Sequence, residues 1–327
     1  MHRPWLVWSP GGYGNMKLDE DHFLGQILPR LQHATDLEVP PGDDCAAIRL
    51  DAHGDRLLLL AVDQVVAGTH YLYAETEPRL IGHKLLARNL SDIAAMGGIP
   101  RFALVAGGFP PDTQQERALA VMEGIIALAE AHHVAVIGGD VGRCPNEVLS
   151  LTIIGEVERE FVCRRNGARS GDLIFVTGVL GGSFPSGHHL QFAPRLAEGR
   201  WLAREKYATA MIDVSDGLFK DLQRILTASG CAAHLDPGDL PCRNGFSPQS
   251  ALFDGEDYEL LFTVSAERAT ALVREWPFDT ALTQIGRITT DRSAGTIVDP
   301  AGREIGRIEQ AFNHFSSNNS AQPSDGR

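Results

Sequence analysis

Short β-rich runs alternate along the chain with stretches whose apolar residues recur every three or four positions, and that alternation predicts a mixed α/β (α+β) architecture. In the first half it predicts strands over residues 56–62, 102–106, 134–137 and 149–157, and helices over 77–96 and 112–132. The second helix places Ala118, Val121, Ile125 and Leu128 on one face, the stripe of a helix laid on a core. Residues 158–170 are charged, poor in apolar side chains and carry the turn pair Asn166-Gly167, so a domain boundary is placed there. Beyond it the pattern predicts strands over 173–177, 259–264, 284–288 and 295–298, with helices over 215–229 and 266–276. The chain thus reads as an N-terminal domain over 16–157 and a C-terminal domain over 166–315, with 1–15 and 316–327 as flexible termini.

The length of 327 residues gives two domains of ordinary size, each able to bury its own core. A net charge of −13 argues against a nucleic-acid backbone as partner, because that role calls for a basic face. An acidic protein that handles phosphates needs cations between the two. The five cysteines are odd in number and contain no CxxC pair, so neither a disulfide framework nor a zinc knuckle is expected, and a reducing cytoplasm fits. No run approaches 18 apolar residues, and residues 1–15 lack the basic start and apolar run of a signal peptide.

The chemistry concentrates in aspartates that sit beside glycines or at the ends of apolar runs: Gly42-Asp43-Asp44, Asp63, Asp92, Gly138-Gly139-Asp140 and Asp213-Val214-Ser215-Asp216-Gly217. Glycine lets a phosphate approach the backbone, and a neighbouring carboxylate offers hard oxygen to magnesium. Magnesium takes one or two carboxylates per ion, so six or seven converging aspartates imply several ions. Each segment also has a plainer reading. Gly42-Asp43-Asp44 suits a turn, Asn89 and Asp92 suit a solvated helix stripe, and Ser215 or Asp216 suits the cap of the helix that follows. An unpaired carboxylate at Asp63, after the run Leu57-Leu58-Leu59-Leu60, is harder to explain as structure alone. The Gly178–Gly182 stretch lacks the Lys-Ser/Thr of a nucleotide P-loop, which excludes an ordinary P-loop kinase.

Taken in order, GDDCAAI (42–48), AVDQVVAGTHY (61–71), NLSDIAAMGGIP (89–100), IGGD (137–140), RNGARSGDLIFVTGVLGGS (165–183), MIDVSDGL (211–218) and GEDYELLFTV (255–264) resemble the thiamine-monophosphate kinase family. That family is a member of the superfamily of aminoimidazole ribonucleotide synthetase and selenophosphate synthetase. The resemblance implies a two-domain PurM-like fold, a homodimer whose N-terminal domains form an interface barrel, and direct transfer of a phosphoryl group from ATP to thiamine monophosphate. It further implies magnesium ligation by Asp44, Asp63, Asp92, Asp140, Asp213 and Asp216, ATP contacts at Gly139, Asp140, Arg165 and Ser215, and thiamine-phosphate contacts at His70, Glu256 and Phe312.

The chain also departs from the family pattern. Val62 and Val141 stand where the family carries Ser or Thr, which removes side-chain oxygens near the metals. The 183–210 segment is short for the family, which implies that a helix over the nucleotide side is absent. These departures leave two alternatives open: a related ATP-using enzyme with another phosphorylated acceptor, and a non-catalytic nucleotide or thiamine-phosphate binding protein.

Overall fold

The computed structural model describes residues 36–49 and 54–306. The expectations for the two termini, and for Phe312, fall outside these residues. The first half forms β1 (Leu37–Val39), β2 (Ala46–Arg49), β3 (Arg56–Val66), α1 (Pro78–Ala95), β4 (Ile99–Phe109), α2 (Gln115–Ala131), β5 (Ala135–Arg143) and β6 (Val148–Glu158). Its six strands make one sheet in the order β1-β2-β3-β6-β4-β5, antiparallel except for the β4–β5 pair. Alternation along β3 buries Leu57, Leu59 and Val65 beneath the helices and turns Leu58, Leu60 and Val62 to the other side.

Helix α1 is the centre of the molecule. Ile81, Leu85, Leu86, Leu90 and Ile93 are fully buried, each contributing roughly 2 kcal/mol of apolar transfer. Gly82 and Gly124 let α1 and α2 touch backbone to backbone, since a methyl at either would strike the Val121 or Arg79 carbonyl. At its far end, Ala94 and Ala95 enter the core of the second half and pack with Leu202, Met211 and Phe262. One helix thereby serves both cores.

The second half contains β7 (Leu173–Thr177), α3 (Leu196–Arg204), β8 (Ala210–Asp213), α4 (Leu218–Ser229), β9 (Ala232–Leu235), α5 (Pro248–Phe253), β10 (Leu260–Val264), α6 (Ala266–Glu275), β11 (Leu282–Thr289) and β12 (Ile297–Val298). Its sheet runs β12-β9-β11-β7-β10-β8, antiparallel except for β12–β9. Every residue of β8 and β10 is buried, as expected of strands covered on both faces. Leu218, Leu222, Ile225 and Leu226 of α4 cover one side, and Ala269 and Leu272 of α6 the other.

Three sequence expectations require correction. The strand around 134–137 continues through Asp140 to Arg143, because it finds a parallel partner in β4 as far as Phe109. The helix expected from 215 starts at Leu218, because Gly217 takes a φ of 99° that breaks the turn before it. The strand expected over 56–62 runs on to Val66, because β6 pairs with it along its whole length; the short 183–210 segment carries α3 and a 3-10 turn at His188–Leu190.

Candidate active site

Three of the predicted aspartates meet. Asp44 precedes β2, Asp92 lies near the end of α1, and Asp213 is the last residue of β8; each offers a carboxylate oxygen within 4.8 Å of the others. Asp44 and Asp213 are buried and Asp92 partly so. Ser91 donates its hydroxyl to Asp213 Oδ2 at 2.6 Å. Arg165 closes the outer side: Nη2 and Nε donate to the two oxygens of Asp44 at 3.1 and 3.3 Å, Nη1 donates to the Gly42 carbonyl at 2.9 Å, and its backbone N–H donates to Asp43 Oδ2 at 3.1 Å. The Gly42-Asp43-Asp44 turn therefore works as an anchor for Arg165.

Burial pushes the Asp92 carboxyl well above the ordinary carboxylate range, and the charges of Asp63, Asp213 and Asp44 push it further. Asp213 is raised in the same way, by burial first and Asp44 second. Burial and the adjacent Asp44 push Asp43 up to about 6. Crowded carboxylates of this kind are costly in the metal-free protein, and a hard divalent cation such as magnesium relieves both desolvation and repulsion. Asn89, one turn before Asp92, keeps its Oδ1 buried with no hydrogen-bond partner among the described residues, a further oxygen acceptor beside the cluster. The donor set fits magnesium.

The other predicted ligands are not part of this triad, and Asp140 stands three strands from Asp63 in the first sheet. Asp63 falls within β3, which continues past the expected end to Val66, and Arg88 of α1 holds both its oxygens at 2.8 and 3.2 Å. Its charge is nonetheless the strongest single neighbour acting on Asp92. Asp140 is exposed on the edge strand β5, opposite Ala106 on β4, with Gly139 exposed beside it. Val62 and Val141 are 65% and 72% exposed, so neither packs into the core.

Asp216 pairs with Arg224 Nη2 at 2.6 Å and Lys220 Nζ at 3.2 Å; burial alone would raise its carboxyl, but the two cations outweigh it and hold it below the usual range. Neither Ser215 nor Asp216 caps α4. Instead Asp221 Oδ2 accepts the backbone N–H of both at 3.0 Å, which shapes the loop from within the helix.

His70 and Glu256 meet around Lys84. His70 Nδ1 accepts the Val66 backbone N–H at 3.0 Å, which leaves the ring hydrogen on Nε2. Glu256 occupies a left-handed backbone position, φ 67°, and its N–H donates to the Ser215 carbonyl at 2.8 Å, joining the GEDYE and DVSDG loops. Sequence reasoning missed the residue that links them. Lys84 of α1 is fully buried and donates to the His70 carbonyl at 2.6 Å, to His189 Nδ1 at 2.7 Å and to Glu256 Oε1 at 2.6 Å. Burial lowers its ammonium to about 8 against the pull of Glu256, and burial plus the nearby ammonium lowers His189 to about 3, so that ring is neutral. The available signal was a lysine set three residues after Ile81, inside the apolar stripe.

The Gly178–Gly182 stretch offers no phosphate cradle. Its Gly181 and Gly182 N–H groups are already given to Asp257 and Asp254, at 2.7 and 2.9 Å.

Residues 42–157 match the AIR synthase related protein, N-terminal domain, and residues 167–299 match the corresponding C-terminal domain. Thiamine-monophosphate kinase of Bacillus subtilis is 33% identical, covering 91% of this chain and 100% of its own length. The Escherichia coli enzyme of the same name is 34% identical over 92% of this chain and all of its own. Among solved structures, AaThiL complexed with AMPPCP and TMP superposes with a TM-score of 0.79 at 27% identity, covering 92% of this chain and 100% of that one. Thiamine-monophosphate kinase from Stenotrophomonas maltophilia gives 0.70 at 33% identity, covering 89% and 99%. The hydrogenase maturation protein HypE in complex with ATP shares the fold, with a TM-score of 0.66 at 20% identity over 89% of this chain and 92% of that one.

Proposed function

The chain belongs to the thiamine-monophosphate kinase family of AIR synthase related proteins, and we propose that it transfers the terminal phosphoryl group of ATP to thiamine monophosphate, giving thiamine diphosphate, with magnesium held by its aspartates. The observation that carries this reading is the convergence of Asp44, Asp92 and Asp213 from three distant segments onto one point. Bound magnesium supplies charge neutralisation and a template for the phosphates, the two things phosphoryl transfer most needs.

The protein's own groups do the positioning. Asp44, Asp92 and Asp213 hold the metal, with Asp63, Asp140 and Asp216 as further ligands around it. Arg88 and Ser91 fix Asp63 and Asp213 in place, at 2.8 and 2.6 Å. Arg165, already aimed at the acid cluster, clamps the polyphosphate with its planar fork, beside backbone groups of Gly139 and Ser215. His70 donates from Nε2 to the acceptor's phosphate side, and Glu256 holds the thiamine portion, both kept in register by Lys84. Phe312 supplies an aromatic contact to the thiamine ring. Transfer is direct, onto the acceptor's own phosphate, with no phosphoenzyme.

The active form is a homodimer. The side of the first sheet away from its helices leaves Val62, Phe102, Leu104 and Ile137 between 39% and 65% exposed, an apolar surface that a second copy would cover. The edge strand carrying Asp140 borders that surface. Among the described residues no helix is long and apolar enough to cross a membrane, and all five cysteines are unpaired. A reducing cytoplasm is the compartment we assign.

The test is ADP release from Mg-ATP with and without thiamine monophosphate, alongside Asp213→Asn. Acceptor-dependent ADP that disappears in the variant supports the reading. Binding of ATP with no release under either condition would replace the kinase with a binding protein.

A further inference from the structure

We propose that Phe184 and Glu256 Oε2 together form the subsite that reads the acceptor's ring, a place for a flat heteroaromatic ring with an N–H donor on its edge. The inference rests on the kinase reading above and deepens it, by adding to the acceptor side a residue of the short 183–210 segment.

That segment is tied to the acceptor residues at two points. Ser183 donates its hydroxyl to the Glu256 carbonyl at 2.6 Å, and the buried His189 sets Nδ1 2.7 Å from Lys84 Nζ and 3.4 Å from Glu256 Oε2. Between the two points the chain closes on itself. Gly187 takes a φ of 75° and gives its N–H to the Phe184 carbonyl at 3.1 Å, and the His189 N–H reaches the Ser183 carbonyl at 3.2 Å. The turn lays the Phe184 ring on the His189 imidazole, with centroids 4.3 Å apart and planes 18° from parallel. Lys84 Nζ stands 6.0 Å from the centre of the same phenyl ring. Phe184 therefore belongs to the cluster that holds Glu256 and the His70 loop, yet it is only partly buried, and Pro185 and Ser186 beside it are exposed.

Glu256 supplies the polar half of the subsite. Its Oε1 is held by Lys84 at 2.6 Å, while Oε2 faces a His189 nitrogen that already accepts from the ammonium and so has no hydrogen to give. Among the described residues no group donates a hydrogen bond to Oε2, and the side chain keeps 12% of its surface open. A carboxylate oxygen in that state takes an N–H donor, and an aromatic face set against the same imidazole takes a flat ring. The aminopyrimidine of thiamine monophosphate has both features. A phosphate ester of an aliphatic alcohol has neither.

The experiment uses the full chain without ATP and measures by calorimetry the binding of thiamine monophosphate and of its thiazole phosphate half, with the aminopyrimidine removed. In Phe184→Leu, which keeps an apolar side chain over His189, thiamine monophosphate should bind about tenfold more weakly, and the thiazole phosphate should stay within about twofold of wild type. Phe184→Tyr should restore the binding. With Mg-ATP, the KM for thiamine monophosphate should rise by the same factor in Phe184→Leu while the KM for ATP and kcat stay unchanged. If Phe184→Leu does not fold, Phe184→Trp reads the same contact, because its indole emission should change with thiamine monophosphate and not with the thiazole phosphate.

Equal losses for the two ligands in Phe184→Leu would overturn the subsite and leave Phe184 as a prop for His189 and Lys84. Unchanged affinity for thiamine monophosphate, or an indole emission that ignores it, would overturn the subsite as well. Acceptor-dependent ADP release with an unaltered KM in Phe184→Leu removes the subsite and leaves the kinase standing. Ring binding that depends on Phe184 in a protein releasing no ADP sinks the kinase reading and leaves the subsite.

Discussion

Replacing Asp92 by asparagine should make the metal-free protein more stable while removing its response to magnesium. Two ionised carboxylates 4.8 Å apart repel by about 3.5 kcal/mol at an effective dielectric of about 20, and Asp92 faces two such neighbours in Asp44 and Asp213. The protein relieves part of this cost because the Asp92 carboxyl, raised by burial first and by the charge of Asp63 second, holds its proton more readily than a free one. The variant recovers whatever remains after relaxation, on the order of 1–3 kcal/mol, and a chain of this length converts that into a rise of roughly 2–6 °C in Tm.

The pH dependence has a definite sign. Because the folded carboxyl is raised above its unfolded value, the wild type loses stability as pH climbs past the ordinary carboxylate range. The variant should show a flatter profile over the same window, and the two should converge near pH 4. Magnesium at a hundred times its Kd should return about 2.7 kcal/mol to the wild type and far less to the variant. Thermal unfolding from pH 4 to 8.5, with EDTA and with magnesium, reads all of this. A lower metal-free Tm in the variant, or a full magnesium shift in it, would refute the reasoning.

Lys84→Met strands the partly buried Glu256 carboxylate and should cost on the order of 2–4 kcal/mol, seen as a lower urea midpoint. In the wild type, the Lys84 ammonium is present below about 8 and lost above it, so the KM for thiamine monophosphate should rise above that pH as Glu256 and the His70 loop lose their common anchor. Leu104→Glu on the exposed sheet face should yield a monomer by sedimentation, with the far-ultraviolet circular dichroism unchanged; a dimer persisting at micromolar concentration would move the interface elsewhere. Gly139→Ala brings a methyl against the Val105 carbonyl and forces β5 off β4, so the KM for ATP should rise at least tenfold; an unchanged KM would remove Gly139 from the nucleotide site.

The long elements were legible because a buried stripe repeats enough times to be read: the 56–62 part of β3, α1 and α2 each present several turns or pleats of pattern. β1, β2, β8 and β9 have three or four residues, too few for a period, and exist because a neighbouring strand pairs with them. The start of α4 was misread because Ser215 and Asp216 look like caps, whereas Asp221, six and five residues along, takes their N–H groups. The aspartates themselves were visible as types in glycine-rich settings, but which three of them converge depends on α1 crossing from one sheet to the other. Lys84 stayed hidden because a lysine in a helix is ordinarily solvated; only the fold shows that three segments bring it a carbonyl, an imidazole and a carboxylate.

The most direct test of the account is the fate of a labelled γ-phosphate. Incubated with magnesium, γ-labelled ATP and thiamine monophosphate, the protein should place the label in thiamine diphosphate and leave none on itself after quenching, with formation abolished by EDTA. Label retained on the protein, or ATP bound and left intact in the presence of the acceptor, would contradict direct transfer at the Asp44, Asp92 and Asp213 cluster.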